Sequence, residues 1–589
     1  MTDGSVARVL LDSPLPQLDR LFDYRVPAAL VADLTPGVRV RVPVRAQRRI
    51  MDGFVVEVVA RSDYDGPLAE IEELVSPVSV LAPEVWRLAR GAADRSVGVA
   101  SDVLRLAIPK RQVRVERAVL TADAPAATPF EALPITDYPP ALAAAIVAGE
   151  RLVVQAVPRP LAWAHTATQL ASQVLAAGRT AIAVLPDARD IERLLAAAAA
   201  VLPPERIVRL DSDQTPGERY RAFLRARLES GLLIVGNRSA VYAPAERLGL
   251  VLVWDDGDPA LREPLAPGLH PREAALLRQE QQGAALVLLA HAPSTDAQRL
   301  VEIGWCRPVR PSTRVAPDVL PTGLQVGAER LAELARIPSS AWRIAAEAIR
   351  DGPVLVQVAR PGEEAPGGSV RTAADLGRAF PNARVIVADA AHPVREVEDA
   401  PALVIATRGA EPVAAGGYRA VLLLDGERML ARESLRVVED GVRNWANAAA
   451  LAAPGARVVL VGVTGPLARD FAAWRLPELA AEELADRRAV RMPPAVRTAT
   501  LTGRPAAVDA AISAAGIPGD DVIAPVELED GLLRTIVRFD YRRGPAVAGA
   551  LRTEILRHAA GRRPRGAAAP TLRVRMDDPA PFVAPGDLG

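Results

Sequence analysis

Cysteine and lysine are almost missing from this chain of 589 residues. Cys306 is the only cysteine, which excludes an internal disulfide and a cysteine-rich zinc site. Lys110 is the only lysine and stands in AIPKRQ with no glycine-rich neighbour, so a phosphate loop of the lysine type has nowhere to form. Net charge is absent too: 71 basic residues meet 71 acidic ones, and any nucleic-acid binding must come from local patches. Aromatic residues make up only 4%. No apolar run approaches the roughly 18 residues of a membrane span, and the opening MTDGSVARVLL has no charged-then-apolar signal region. The expectation is a cytoplasmic protein without membrane partners.

What is present is Ala, Val, Leu and Arg in patterns that alternate strand and helix. The length implies about two to four domains. Period-two alternation in VARVLLD, GVRVRVPVR from Gly37 and GFVVEVVA from Gly53 predicts a small β domain over residues 1–112, with a helix over Pro83–Asp94. Residues 113–145 read as a linker or the remnant of a further small domain of the winged-helix kind, followed by a helix at Ala141–Glu150. Residues 146–310 alternate apolar runs with helical patterns, which predicts a parallel sheet covered on both faces. After a linker at 311–340, a second such unit over 341–480 carries PVLVQVA, RVIVAD, ALVIAT, AVLLLD and RVVLVGV. The last domain, 481–589, reads as α+β.

Within the first α/β unit, Leu232–Val235 and Leu250–Val253 are long enough for buried strands. They end in Gly236-Asn237-Arg238-Ser239-Ala240 and Trp254-Asp255-Asp256-Gly257, where a parallel sheet presents a ligand crevice. On pattern alone, Asp255, Asp256 and Asp258 merely solvate a strand exit. In the last domain Arg538, Arg542, Arg543, Arg552, Arg557, Arg562, Arg563, Arg565, Arg573 and Arg575 crowd together beside Phe539 and Tyr541. Such a run is either a solvated face or a basic patch for DNA.

Three stretches, PLPQLDRLFDYRVP, NRSAVYAPAERLGLVLV and the C-terminal domain, resemble the PriA replication restart family of superfamily 2 helicases, and the resemblance runs through nearly the whole chain in order. It implies an N-terminal domain that captures the 3′ end of the nascent strand at a fork, two RecA-like lobes and a DNA-binding C-terminal domain. Carried over residue by residue, it places a 3′-end pocket at Phe22, Asp23 and Gly37. A ring stacks on a base, a carboxylate accepts from a free hydroxyl, and glycine admits close backbone approach. Where the family has a pocket lysine this chain has Glu72, leaving Arg39, Arg41 or Arg45 to support a phosphate. In the C-terminal domain the same resemblance marks Arg538, Tyr541, Arg542 and Arg543 for DNA.

The phosphate-handling positions depart from the family. Its phosphate loop is replaced by Ala156-Val157-Pro158-Arg159-Pro160-Leu161-Ala162-Trp163, and the first magnesium carboxylate by Trp254. The zinc insertion gives way to a turn at Pro361–Gly368. Ala406-Thr407-Arg408 stands for Gly-Thr-Gln, and the stretch Asn444–Ala456 lacks arginine fingers. The reading is therefore a degenerate helicase core, without ATP, magnesium or zinc, that recognises forks with a 3′ end and promotes helicase loading through other primosome proteins. Two alternatives stay open: an ATP-dependent 3′–5′ helicase using Arg159, Asp255 and Asp256 in unusual roles, and a non-catalytic protein scaffold.

Overall fold

The computed structural model describes residues 5–44, 49–122, 129–324, 336–360, 372–374, 380, 383–528, 531–560, 572–578 and 581. The N-terminal sheet is antiparallel: β1 (Val6–Leu11), β2 (Leu21–Arg25), β3 (Arg39–Val44), β4 (Arg49–Val59) and β5 (Glu73–Ser76), in the order β2-β1-β4-β3-β5. Alternation along β3 decides its faces, since Val40, Val42 and Val44 are buried while Arg41 is exposed. Gly37, just before β3, has φ +92°, and a Cβ there would lie 2.2 Å from Ser79 Oγ and 2.5 Å from the Leu81 carbonyl oxygen. Only glycine lets the sheet press so closely on the segment leading to the first helix.

That helix, α1 (Pro83–Ser96), is followed by α2 (Ala100–Ala107) and α3 (Val113–Thr121). They join the β domain to the first lobe through one continuous core, in which Leu10, Phe54, Leu88 and Leu104 pack with Phe223 and Leu288. Residues 113–121, expected as linker, are therefore helical. The physical reason is a buried carboxylate: Glu116 on α3 accepts from Ser76 Oγ at 2.9 Å, Arg111 Nη2 at 2.6 Å and the Tyr220 hydroxyl at 2.5 Å.

The first lobe holds β6 (Arg151–Gln155), β7 (Thr180–Val184), β8 (Ile207–Arg209), β9 (Leu233–Gly236), β10 (Leu248–Trp254), β11 (Ala285–Ala290) and β12 (Arg307–Val309). All pair in parallel, in the order β12-β6-β11-β10-β7-β9-β8. Every residue of β10 is buried, as befits a central strand covered on both faces. The second lobe is a parallel sheet of β13 (Asp318–Pro321), β14 (Pro353–Val358), β15 (Arg384–Ala388), β17 (Ala402–Thr407), β19 (Tyr418–Leu423) and β20 (Ala452–Leu460). A small pair, β16 (Glu396–Val397) and β18 (Val413–Ala414), flanks it. β13 falls in the span expected as linker but pairs with β20, so the second lobe begins earlier than its hydrophobic pattern suggests. The turn expected at Pro361–Gly368 lies outside the described residues.

The C-terminal domain is an antiparallel sheet of β21 (Arg497–Gly503), β22 (Val522–Leu528), β23 (Leu532–Phe539) and β24 (Arg573–Met576), with helices Pro505–Ala514 and Gly544–Ala560. Among the described residues no helix is long and apolar enough to cross a membrane.

Burial raises the Glu116 pKa, but the bonds from Arg111, Tyr220 and Ser76 outweigh it and hold the carboxyl below the usual glutamate range. A depressed pKa stabilises the fold above the unfolded value and loses that contribution as pH falls through the folded value. Glu116→Gln is expected to cost about 2 kcal/mol at neutral pH and less in acid, measured by chemical denaturation at both pH values.

Candidate nucleic-acid interface and interlobe cleft

β2 places two of the expected end-binding residues side by side. Its pairing with β1 sets Phe22 opposite Val9 and Asp23 opposite Arg8, and both line an open groove with Arg8, Gln17, Arg20 and Tyr64. The Arg20 guanidinium lies 4.6 Å from the Phe22 ring centroid. Asp23 accepts from Ser62 Oγ at 2.5 Å and faces Arg8 Nε at 3.8 Å. Tyr64 is 65% exposed, a second ring at the groove that the fold does not use. Its only sequence signal was an isolated aromatic in the loop SDYDG. Tyr24, by contrast, is core: it is buried, its hydroxyl donates to the Pro43 carbonyl at 3.3 Å, and burial pushes the phenol up to about 12.

Gly37 does not join Phe22 and Asp23; it belongs to the joint against Ser79 and Leu81. Nor do Arg39 and Arg41, two of the expected phosphate supports, line the groove. Arg41 pairs with Asp52 and Glu73 at 3.2 and 2.8 Å, Arg39 lies over Phe54 at 5.1 Å, and Arg45 is outside the described residues. Among the described residues, the cations at the groove are Arg8 and Arg20.

The cleft between the lobes is built from strand ends. After Trp254 the chain turns through Asp255 at φ +49°, a left-handed conformation that sends neighbouring carboxylates in different directions. Asp255 faces the second lobe, where it accepts from Arg443 Nη1 at 2.8 Å and Asn447 Nδ2 at 2.7 Å. Arg443 Nη1 also reaches Asp258 at 2.7 Å, and Asn447 Oδ1 meets His291 Nδ1 at 3.0 Å. Asp256 faces away, bound by Arg272 Nη1 at 2.8 Å and Ser294 Oγ at 2.6 Å. Far from solvating an exit, Asp255 and Asp256 are both buried.

An arginine does enter this cleft from the second lobe. Arg443 stands one residue before the stretch Asn444–Ala456, so the expectation of a segment without arginine missed its cation. That cation is committed to two carboxylates. Arg159 lines the cleft but pairs with Asp137 at 2.6 Å. Burial pushes Asp255 up to about 6 against the pull of Arg443, and pushes Asp190 up to about 7. Asp190 in turn accepts from Trp254 Nε1 at 3.1 Å.

A nucleotide triphosphate with magnesium does not fit these residues. The loop after β6 spends its donors internally: the Arg159 N–H donates to Val157, Ala162 to Arg159, and Ala164 to Leu161. Pro158 and Pro160 have no N–H to offer. The Trp163 ring, at the start of the following helix, stacks on Trp254 with centroids 4.2 Å apart and planes 11° apart. Two indoles thus meet where a cradle of backbone donors and a hard-cation ligand are needed.

The C-terminal arginines are mostly engaged in the fold. Arg538 donates to the carbonyls of Val490 and Asp520 at 3.2 and 2.7 Å, and Arg543 to those of Ala515 and Gly516 at 3.0 and 2.9 Å. Tyr541 is covered by the Arg299 guanidinium, 3.3 Å from its ring centroid, so that face cannot stack on a base. Phe539 is core. Arg542 and Arg573 are exposed, while Arg562, Arg563 and Arg565 lie outside the described residues.

Two parallel-sheet lobes meet at their strand ends across a cleft, flanked by an antiparallel N-terminal β domain and an α+β C-terminal domain, and together they define a multidomain α/β protein. Residues 8–109 match the PriA family description "3'DNA-binding domain (3'BD)" and residues 488–580 match "Primosomal protein N C-terminal domain". The chain is 38% identical to the probable replication restart protein PriA of Mycobacterium tuberculosis (strain ATCC 25618 / H37Rv), over 88% of this chain and 91% of that one. Against its namesake in Mycobacterium leprae (strain TN) it is 34% identical over 92% and 96% of the two chains. A solved structure of RecG bound to a three-way DNA junction aligns with 69% of this chain and 56% of that one, at 12% identity and TM-score 0.36. The chain belongs to the PriA family.

A carboxyl whose folded pKa lies above its unfolded one adds stability below the unfolded value and loses it as pH climbs through the folded value. Wild type is therefore expected to lose stability relative to Asp190→Asn between about pH 4 and pH 7, read from denaturation midpoints across that range.

Proposed function

We propose that this protein is a replication restart protein that recognises stalled or recombined forks by their free 3′ end, and that it promotes helicase loading through other primosome proteins without a nucleotide-driven motor of its own. The observation that carries the reading is a contrast within one chain. Phe22, Asp23 and Tyr64 line an open groove, the Tyr64 ring exposed and Phe22 and Asp23 half-buried in its wall. The interlobe cleft, by contrast, is filled by Arg443, its carboxylates and the Trp163–Trp254 stack.

The chemistry of the groove suits a nucleotide end. A base stacks on Phe22 or Tyr64, and Asp23, acceptor-only when ionised, takes a hydrogen bond from a 3′-hydroxyl but repels a 3′-phosphate. Arg8 and Arg20 supply the positive charge for the adjoining backbone phosphate. Membership of the PriA family and the matched 3′ DNA-binding domain support this reading.

Fluorescence anisotropy at fixed salt, with a fork bearing a 3′-hydroxyl at the branch and the same fork capped by a 3′-phosphate, tests it. Tighter binding to the hydroxyl fork is expected, and Phe22→Ala should weaken that binding by about 1–2 kcal/mol. Equal binding of the two forks, unaltered in Phe22→Ala and Asp23→Ala, would point instead to the C-terminal domain or to a protein scaffold. In a steady-state assay with fork DNA, ATP turnover is expected to stay at background. DNA-stimulated turnover that disappears in Asp255→Asn would overturn the absence of a motor.

A further inference from the structure

Asp19 lies three residues before Phe22, in the turn that leads into β2. Its side chain is wholly enclosed. Arg90 Nη1 of α1 donates to it at 2.7 Å, the Ala100 N–H at the start of α2 at 3.0 Å, and Arg552 Nη2 closes the set. Arg552 comes from the helix Gly544–Ala560 of the last domain. It also donates to the Gly98 carbonyl at 3.0 Å and lies 3.6 Å from Asp94, which Arg90 holds at 2.8 Å. Two guanidiniums and two carboxylates thus balance at the joint between the first and last domains.

The ladder with β1 fixes the backbone only from Leu21 onward, through the pairs Leu10↔Leu21, Val9↔Phe22 and Arg8↔Asp23. Residues 17–20 have no such ladder. Their backbone bonds are local: Leu18 to Leu15, Asp19 to Pro16 and Arg20 to Leu18. Yet Gln17 and Arg20 form part of the groove wall, and Arg20 covers one face of the Phe22 ring. What holds this wall to the body of the protein is the Asp19 carboxylate together with the buried Leu18.

We propose that Arg552 is a positioning residue for the 3′-end groove: by clasping Asp19 from the last domain, it holds residues 17–20 where Gln17 and Arg20 frame Phe22. The C-terminal domain thereby tunes end selectivity without touching the end. The inference rests on the reading of the groove given above.

The test uses the full chain with Arg552→Gln. Arg90 and the Ala100 N–H remain on Asp19, so the variant leaves no unpaired buried carboxylate and is expected to fold. Hydrogen exchange should rise over residues 15–20 and stay unchanged over β4, and the preference for a 3′-hydroxyl over a 3′-phosphate fork should fall by about threefold. Arg552→Lys, which keeps the cation, should recover most of both effects. Unchanged exchange over residues 15–20 overturns the proposal. So does raised exchange with an intact hydroxyl preference, because the contact is then only structural. If wild type shows no hydroxyl preference, the reading of the groove falls, and the exchange comparison still decides whether Arg552 holds the wall.

Discussion

A single guanidinium lodged between two carboxylates sets the arrangement of the two lobes. Arg443 crosses from the second lobe to Asp255 and Asp258 of the first, and Asn447 and His291 extend the contact. The guanidinium stays charged throughout the working pH range, so its burial demands carboxylates in place. A buried pair of this kind adds little net stability over an apolar core, but separating it costs about 3–5 kcal/mol because an uncompensated charge is left behind. Its effect is to exclude other arrangements. The two lobes are joined by it at their strand ends, across the cleft between them.

The same logic recurs around the cleft. Arg272 links Asp256 and Asp296 within the first lobe, and Arg436 of the second lobe shares Asp296 at 2.8 Å. Arg487, on the helix that returns from the second lobe, reaches Thr295 at 2.9 Å and Glu439 at 3.2 Å. Arg95 of α1 pairs with Glu273. A chain with zero net charge thus keeps several of its arginines indoors, some of them as connectors between domains. Arginine suits that task, since its flat, weakly hydrated fork bridges two acceptors at a lower cost in desolvation than lysine.

Much of this was legible in the sequence because it depends on local pattern. Alternating valines around Arg39 and Arg41 announced the N-terminal sheet, unbroken apolar runs such as LGLVLVW announced parallel strands, and PLPQLDRLFDYRVP placed Phe22 and Asp23 together. What escaped depends on contacts distant in the chain. Arg443 meets Asp255 from 188 residues away and Arg552 meets Asp19 from 533 residues away, and no spacing rule reports such pairs. The arginines of the last domain looked like a DNA patch because charge counts cannot tell a solvated guanidinium from one bonded to carbonyls, as Arg538 and Arg543 are. Gly37 was read as close approach to a nucleotide, when the close approach is to Ser79 and Leu81 of its own chain.

The core shared by the N-terminal sheet and the first lobe makes that lobe a structural requirement of the sheet. Leu10 and Phe54 of the sheet pack in the same cluster as Phe223 and Leu288 of the lobe, with Glu116 bolting the two through Ser76 and Tyr220. Cut away from the lobe, the sheet would expose its side of that core to water and break up the donor set of Glu116. The first lobe is thus the foundation under the groove: its strand ends can vary residue by residue, but the domain that carries the sheet cannot be dropped.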